Sequence, residues 1–168
     1  EELGCEGTHF ANPHGYHDDN HYTTAYDITR FMKAAMEYDL FQKIVTSPNY
    51  TIPATNLSEQ RTVRNTNALT SNWTYTGYLY TPGTGGKTGS TDEAGKCLVE
   101  TAKKGDTYLI SVVMGEPETI TLADGSEKVA QFYDTIQLLN WGFENFQRTV
   151  ISEDSEVVAK VNVTLSTQ

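Results

Sequence analysis

Gly86-Lys87-Thr88-Gly89-Ser90-Thr91-Asp92-Glu93-Ala94-Gly95 runs directly into Lys96-Cys97-Leu98-Val99, and this stretch decides the fold. Threonines and a lysine flanked by glycines, closed by Ala-Gly, read as a strand ending in a turn. Lys96 to Thr101 and Thr107 to Met114 follow as a hairpin around Lys104-Gly105-Asp106. The run Leu109-Ile110-Ser111-Val112-Val113-Met114 is almost continuously apolar, which predicts a central strand covered on both faces. Working downstream, Ser126 is placed to cap a helix over 126–143, because Val129, Phe132, Tyr133, Ile136, Leu139 and Phe143 recur every three or four positions. Working upstream, Thr24 is followed three positions on by Asp27, and Ala25, Ile28, Phe31, Met32, Ala35 and Met36 share one face, predicting a capped helix over 24–38. A shorter helix is expected from Asp39 to Val45, with an extended stretch through Tyr50 between Pro48 and Pro53. Residues 8–22 carry no apolar period and read as a loop, and the polar, Asn/Thr-rich segment 55–76 marks no element.

These elements predict an α/β (α+β) domain in which an antiparallel sheet carrying residues 86–90 and 96–114 is covered by the helices at 24–38 and 126–143. After Phe146 the pattern changes to alternation, with Val157, Ala159, Val161, Val163 and Leu165 on one face. Residues 147–168 are therefore expected to begin a β-rich domain, and residues 1–146 to belong to the first one.

Composition narrows the function classes. A chain of 168 residues, 38% hydrophobic and 20% charged, has the makeup of an ordinary packed domain. Its formal net charge of −10, with no Lys/Arg cluster, argues against a surface that tracks nucleic-acid phosphates. No run approaches the roughly 18 apolar residues of a membrane helix, and residues 1–30 lack the basic-then-apolar order of a signal peptide. Any export signal or membrane anchor is expected outside this chain. Cys5 and Cys97 match neither a zinc knuckle nor a CxxC pair and read as two free, part-buried thiols, with one long-range disulfide as the alternative.

The strand at 86–90, together with His9-Phe10-Ala11-Asn12-Pro13-His14-Gly15, Thr23-Thr24-Ala25-Tyr26-Asp27, Asn65-Thr66-Asn67 and Leu138-Leu139-Asn140-Trp141-Gly142-Phe143, resembles in order and spacing the serine D-alanyl-D-alanine carboxypeptidases that penicillin acylates. The resemblance implies a β-lactamase/transpeptidase-like fold, bacterial origin and a place outside the cytoplasm in the cell envelope. It implies peptidoglycan stem peptides and β-lactams as partners, with no cofactor and no metal. It also implies roles. Lys87 and Ser90 enter as catalytic-site residues, and Lys87, Thr88, Gly89 and Ser90 as substrate-binding ones. Lys87 would supply fixed positive charge for the terminal carboxylate and for the ionised serine. Thr88 would offer a hydroxyl to the carboxylate, Gly89 would leave room for backbone approach, and the Ser90 N–H would donate to the oxyanion. The strand edge would align the substrate as an added strand.

The nucleophile that the resemblance implies is not in this chain. The family's Ser-x-x-Lys and Ser-x-Asn lie upstream of the region matching Glu1, and no serine here is followed by lysine three positions later. The missing N-terminal part of the same protein is thus an expected partner, and the isolated chain is expected to be inactive. Two other readings stand beside this one: a β-lactamase-type or transpeptidase-type relative, and a non-catalytic peptidoglycan-binding module.

Further residues invite readings of their own. His14, His17 and His21 with Asp18 and Asp19 have metal-ligand types at short spacing, but on a loop they are expected to make turn and cap hydrogen bonds. Arg61 and Arg64 have the chemistry to hold a carboxylate, and solvated side chains are the expectation. Tyr50, Tyr75, Tyr78 and Tyr80 are expected to pack mostly in the core.

Overall fold

A computed structural model describes residues 2–148. Its element order is α1 (Ala25–Ala35), α2 (Asp39–Thr46), β1 (Asn49–Ile52), β2 (Arg61–Arg64), β3 (Gly83–Thr91), β4 (Gly95–Lys104), β5 (Thr107–Glu116), β6 (Thr119–Thr121), β7 (Glu127–Val129) and α3 (Ala130–Asn145). The alternating strand expected after residue 146 lies outside the described residues, apart from its approach through Arg148.

The mixed α/β class and the antiparallel sheet are borne out. β3, β4 and β5 form a three-stranded antiparallel sheet in that order. β4 is therefore its central strand among the described residues, not the apolar run of β5. That run is apolar because helices cover it on both sides. On one face Leu98 and Ala102 of β4 and Val113 of β5 pack with Phe132 and Leu139 of α3 and with Ala68 and Leu69. Burying that many aliphatic and aromatic side chains is the main source of stability, at roughly 1.5–3 kcal/mol for each large one. On the other face, Ile28 and Met36 of α1 lie beside Val112 and Ile110.

α1 starts as expected: the Thr24 hydroxyl accepts from the Asp27 N–H at 3.1 Å. α2 also forms where its sequence predicts. α3 does not begin at Ser126. Residues 127–129 pair with 119–121 as the β6–β7 hairpin, the Ser126 N–H donates to Asp124 Oδ1, and the helix starts at Ala130 with Val129 as its N-cap. Within 55–76, where the sequence marks no element, β2 pairs with β1 from Asn49↔Arg64 to Ile52↔Arg61. β2 is exposed at all four positions, so no buried face wrote an alternation into its sequence.

Candidate functional site

Three features of sequence shape the edge strand. Gly85 has φ +102°, a value other residues rarely adopt, and the register of β3 on β4 shifts between Gly83 and Gly85. The resulting bulge aims the following residues. β3 pairs with β4 alone among the described residues, so the backbone groups along its other side are available to an added strand. Register then sets the faces: Lys87, opposite Val99, and Thr88, opposite Leu98, leave the strand on opposite sides.

Two cavities flank this edge. One, of about 640 Å³, is bounded by α2, β1 and β2 and includes Ile44, Tyr50, Val63 and Arg64. The other, of about 660 Å³, lies under the 9–23 loop and is lined by Thr88, Gly89, Ser90 and Cys97 of the hairpin. Lys87 lines both. Its ammonium donates to the Thr88 carbonyl, and it has no carboxylate partner among the described residues. A lysine at an edge, with no acidic partner among the described residues, has the chemistry to receive an anion. In a chain of net charge −10 that is a locally inverted field. Thr88, Gly89 and Ser90 share the second cavity, so the four residues singled out in the sequence come together along one rim.

The structure adds two residues that sequence reasoning missed. Thr66 shares a hydrogen bond with Thr88, hydroxyl to hydroxyl, at 2.6 Å, placing a second hydroxyl at the rim. Glu100 lies beneath the strand, fully buried. Its alternation with Leu98 and Ala102 marks it as inward-facing, but not what it meets there. Ser47 and Asn49, of the tripeptide Ser47-Pro48-Asn49, lie on the wall of the first cavity, but the Ser47 hydroxyl is spent on the Lys43 carbonyl at the end of α2.

The remaining candidates sort as follows. Tyr75 and Tyr78 pack against Phe132, each with ring centroids 5.6 Å apart, and the Tyr80 hydroxyl donates to Asn140 Oδ1 at 2.8 Å. Tyr50 is exposed in the first cavity instead. Arg61 is exposed. Arg64, expected to be simply solvated, stacks over Trp73 with its guanidinium carbon 3.5 Å from the ring centre, a cation–π contact. The histidine loop makes the expected turn bonds: Ala11 N–H donates to His21 Nδ1 and Tyr16 N–H to His14 Nδ1, each at 3.1 Å. His17 sits 3.2 Å from Asp19 and 3.7 Å from Glu93. Among the described residues, no group of three or more such side chains could hold a metal ion. Cys5 and Cys97 are both free and half-buried.

Comparison with known proteins places this geometry in context. The model of the family described as D-alanyl-D-alanine carboxypeptidase matches residues 1–118. The D-alanyl-D-alanine carboxypeptidase DacF of Bacillus subtilis is 32% identical over 165 residues, covering 97% of this chain and 38% of that protein. A D-alanyl-D-alanine carboxypeptidase structure from Mycobacterium tuberculosis superposes with a TM-score of 0.67 at 27% identity, over 85% of this chain and 49% of that one. A Streptomyces DD-transpeptidase structure gives a TM-score of 0.68 at 28% identity, over 85% and 50%. The chain thus spans half or less of the length of these relatives.

Proposed function

The chain belongs to the D-alanyl-D-alanine carboxypeptidase family, and from that premise we propose that it supplies the substrate-aligning half of a serine acyl-transfer site for peptidoglycan stem peptides. The observation that carries this reading is the free edge of β3, with Lys87, Thr88, Gly89 and Ser90 strung along the rim of two cavities. An extended D-peptide pairs with that edge as an added strand. Lys87 and the Thr66–Thr88 hydroxyls receive the terminal carboxylate, Gly89 admits the peptide backbone, and the Ser90 N–H faces the developing oxyanion.

The chemistry is completed by a serine from a segment bearing Ser-x-x-Lys. The serine oxygen bonds to the penultimate D-alanine carbonyl carbon as the C–N bond breaks, and D-alanine departs with the proton. Water then cleaves the ester, regenerating the hydroxyl and releasing the shortened stem. Penicillin forms an ester with the same serine, and no cofactor takes part. The proposed location is the bacterial cell envelope outside the cytoplasm, with membrane attachment only through an anchor outside this chain. No helix among the described residues is long and apolar enough to cross a membrane.

A fluorescent penicillin tests the assignment. The chain alone is expected to show no covalent mass shift, and the chain joined to a segment carrying Ser-x-x-Lys and Ser-x-Asn is expected to label. Lys87→Ala in the joined protein should slow acylation by roughly 10²-fold, the scale of losing one electrostatic contact to developing charge. Equal labelling with and without Lys87 would remove the role given to it. Saturable muropeptide binding without labelling of the joined protein would instead indicate a non-catalytic module. The Streptomyces structure is named a DD-transpeptidase, so release of the acyl group to an added amine rather than to water would favour that activity over the carboxypeptidase.

A further inference from the structure

Beneath the Lys-Thr-Gly strand lies a carboxylate that the acyl-transfer reading leaves without a task. Glu100 is 0% exposed. Its Oε2 accepts from Asn67 Nδ2 at 2.6 Å and its Oε1 from the Gly85 N–H at 3.2 Å, and it forms no ion pair among the described residues. Glycines make room for it. A Cβ on Gly86 would collide with the Val99 carbonyl oxygen and with Glu100 Oε2, and one on Gly83 would lie 3.1 Å from Oε1. Gly83 and Gly86 therefore leave the space that this side chain fills.

What Glu100 joins is specific. Asn67 is one residue after Thr66, whose hydroxyl meets Thr88 at 2.6 Å, and Asn67 also caps its own turn by accepting the Leu69 N–H at 3.0 Å. Gly85 is two residues before Lys87. One carboxylate thus holds both segments that present the rim, and among the described residues no other side chain from outside those segments is bonded to both.

We propose that Glu100 is a positioning residue, which by gripping Asn67 and Gly85 together fixes the spacing between Thr66 and the Lys87–Thr88 edge. This rests on the reading of that edge as the seat of a D-peptide carboxylate. The grip is sensitive to protonation. An ionised carboxylate accepts both bonds, whereas a protonated one turns one oxygen into a donor that faces N–H groups, and one of the two bonds is lost. Burial pushes the carboxyl up to about 7, against the lowering effect of its two hydrogen bonds. The groups facing it are Gly83, Gly85 and Gly86 of β3, Asn67, and Ser111 opposite it on β5. None titrates. The Ser111 hydroxyl is itself buried without a partner among the described residues. α3 covers the same face with the apolar Phe132 and Leu139.

Nuclear magnetic resonance on the whole chain, titrated from about pH 5 to 9, tests this. The Gly85 amide and the Asn67 side-chain amide should move with one midpoint set by Glu100, and the resonances of Thr66 and Thr88 should move with them. Glu100→Gln should abolish that shared transition. The wild-type titration needs no variant to fold. An acetylated Lys-D-Ala-D-Ala peptide is the ligand probe. Its affinity should rise roughly tenfold across the transition, the value of one hydrogen bond to a charged group, and Glu100→Gln should lack that increment. The difference between the two profiles removes pH effects that do not arise at Glu100. Thr66 and Thr88 resonances that ignore the Glu100 transition would overturn the proposal, as would a Gln variant with wild-type affinity and profile. A wild-type chain that binds no peptide while Thr66 and Thr88 follow the transition keeps the positioning role and removes the substrate reading.

Discussion

At Glu100 burial and hydrogen bonding pull in opposite directions, and burial wins. The carboxyl ionises near 4.5 in the unfolded chain and near about 7 in the folded one. Between those values the folded state keeps a proton that the unfolded state has released. The stability contributed by the neutral form is therefore present below about 4.5 and is lost as pH rises through about 7. The span corresponds to about 3 kcal/mol at most. Denaturant midpoints measured across this window should fall with rising pH more steeply in the wild type than in Glu100→Gln; parallel profiles would show that the carboxyl ionises normally. Burial and the nearby Asp134 also raise Glu116, a contribution common to both proteins. Lys96 and Tyr75 hold Glu118 below its ordinary range by hydrogen bonding, so its contribution is lost only as pH falls. The proposed positioning role wants the ionised form and stability wants the neutral one, a conflict of the kind that concentrates at functional sites. Lys87, Thr88, Gly89 and Ser90 were legible in sequence because a motif names them. Glu100 and Thr66 were not, because their importance is a matter of what lies opposite them, Gly86 in one case and Thr88 in the other.

Elements were legible where local chemistry and packing agreed. α1 carries its cap and its apolar stripe in adjacent residues, and it forms where they predict. α3 shows the opposite case. Its period continues back through Val129, yet Asp124, Gly125 and Ser126 form a turn with Gly125 at φ +82°, and pairing with β6 takes the residues that a helix would have used. β1 shows in the sequence only as an extended stretch between two prolines, and β2 left no signal, since a strand exposed at every position has no face to mark. The bulge in β3 was hidden for a different reason: glycines announce freedom without saying which conformation is used. Gly85 uses it. A Cβ there would lie 2.8 Å from Val45 Cγ2 and 2.9 Å from the Val45 carbonyl carbon, so α2 is seated directly on the bulge. Gly85→Ala should cost roughly 1–3 kcal/mol from strained backbone and displacement of α2, read as a lowered denaturant midpoint with an unchanged slope. A variant as stable as the wild type would mean that α2 is not held against this strand.

For the molecule as a whole, charge placement matters more than total charge. A surface of net charge −10 repels an anionic stem peptide at long range, while Lys43, Arg64 and Lys87 all line the first cavity. Their field is felt inside roughly one Debye length, about 10 Å at 0.1 M salt, and the acidic background acts over the same distance from farther away. Close cations should therefore dominate at the rim. The arrangement predicts that an acetylated Lys-D-Ala-D-Ala peptide binds more weakly as salt is raised, and that replacing the terminal carboxylate by an amide removes most of this dependence. Lys43→Ala, at an exposed position away from the strand, should weaken binding by only about two- to threefold, the scale of one screened surface charge, and should flatten the salt dependence without changing the fold. Isothermal titration at several ionic strengths reads both. An affinity that is indifferent to salt, or that improves with it, would mean that the acidic surface and not the cavity cations sets the potential met by the ligand, and the edge of β3 would then have to hold its peptide through backbone pairing and hydroxyls alone.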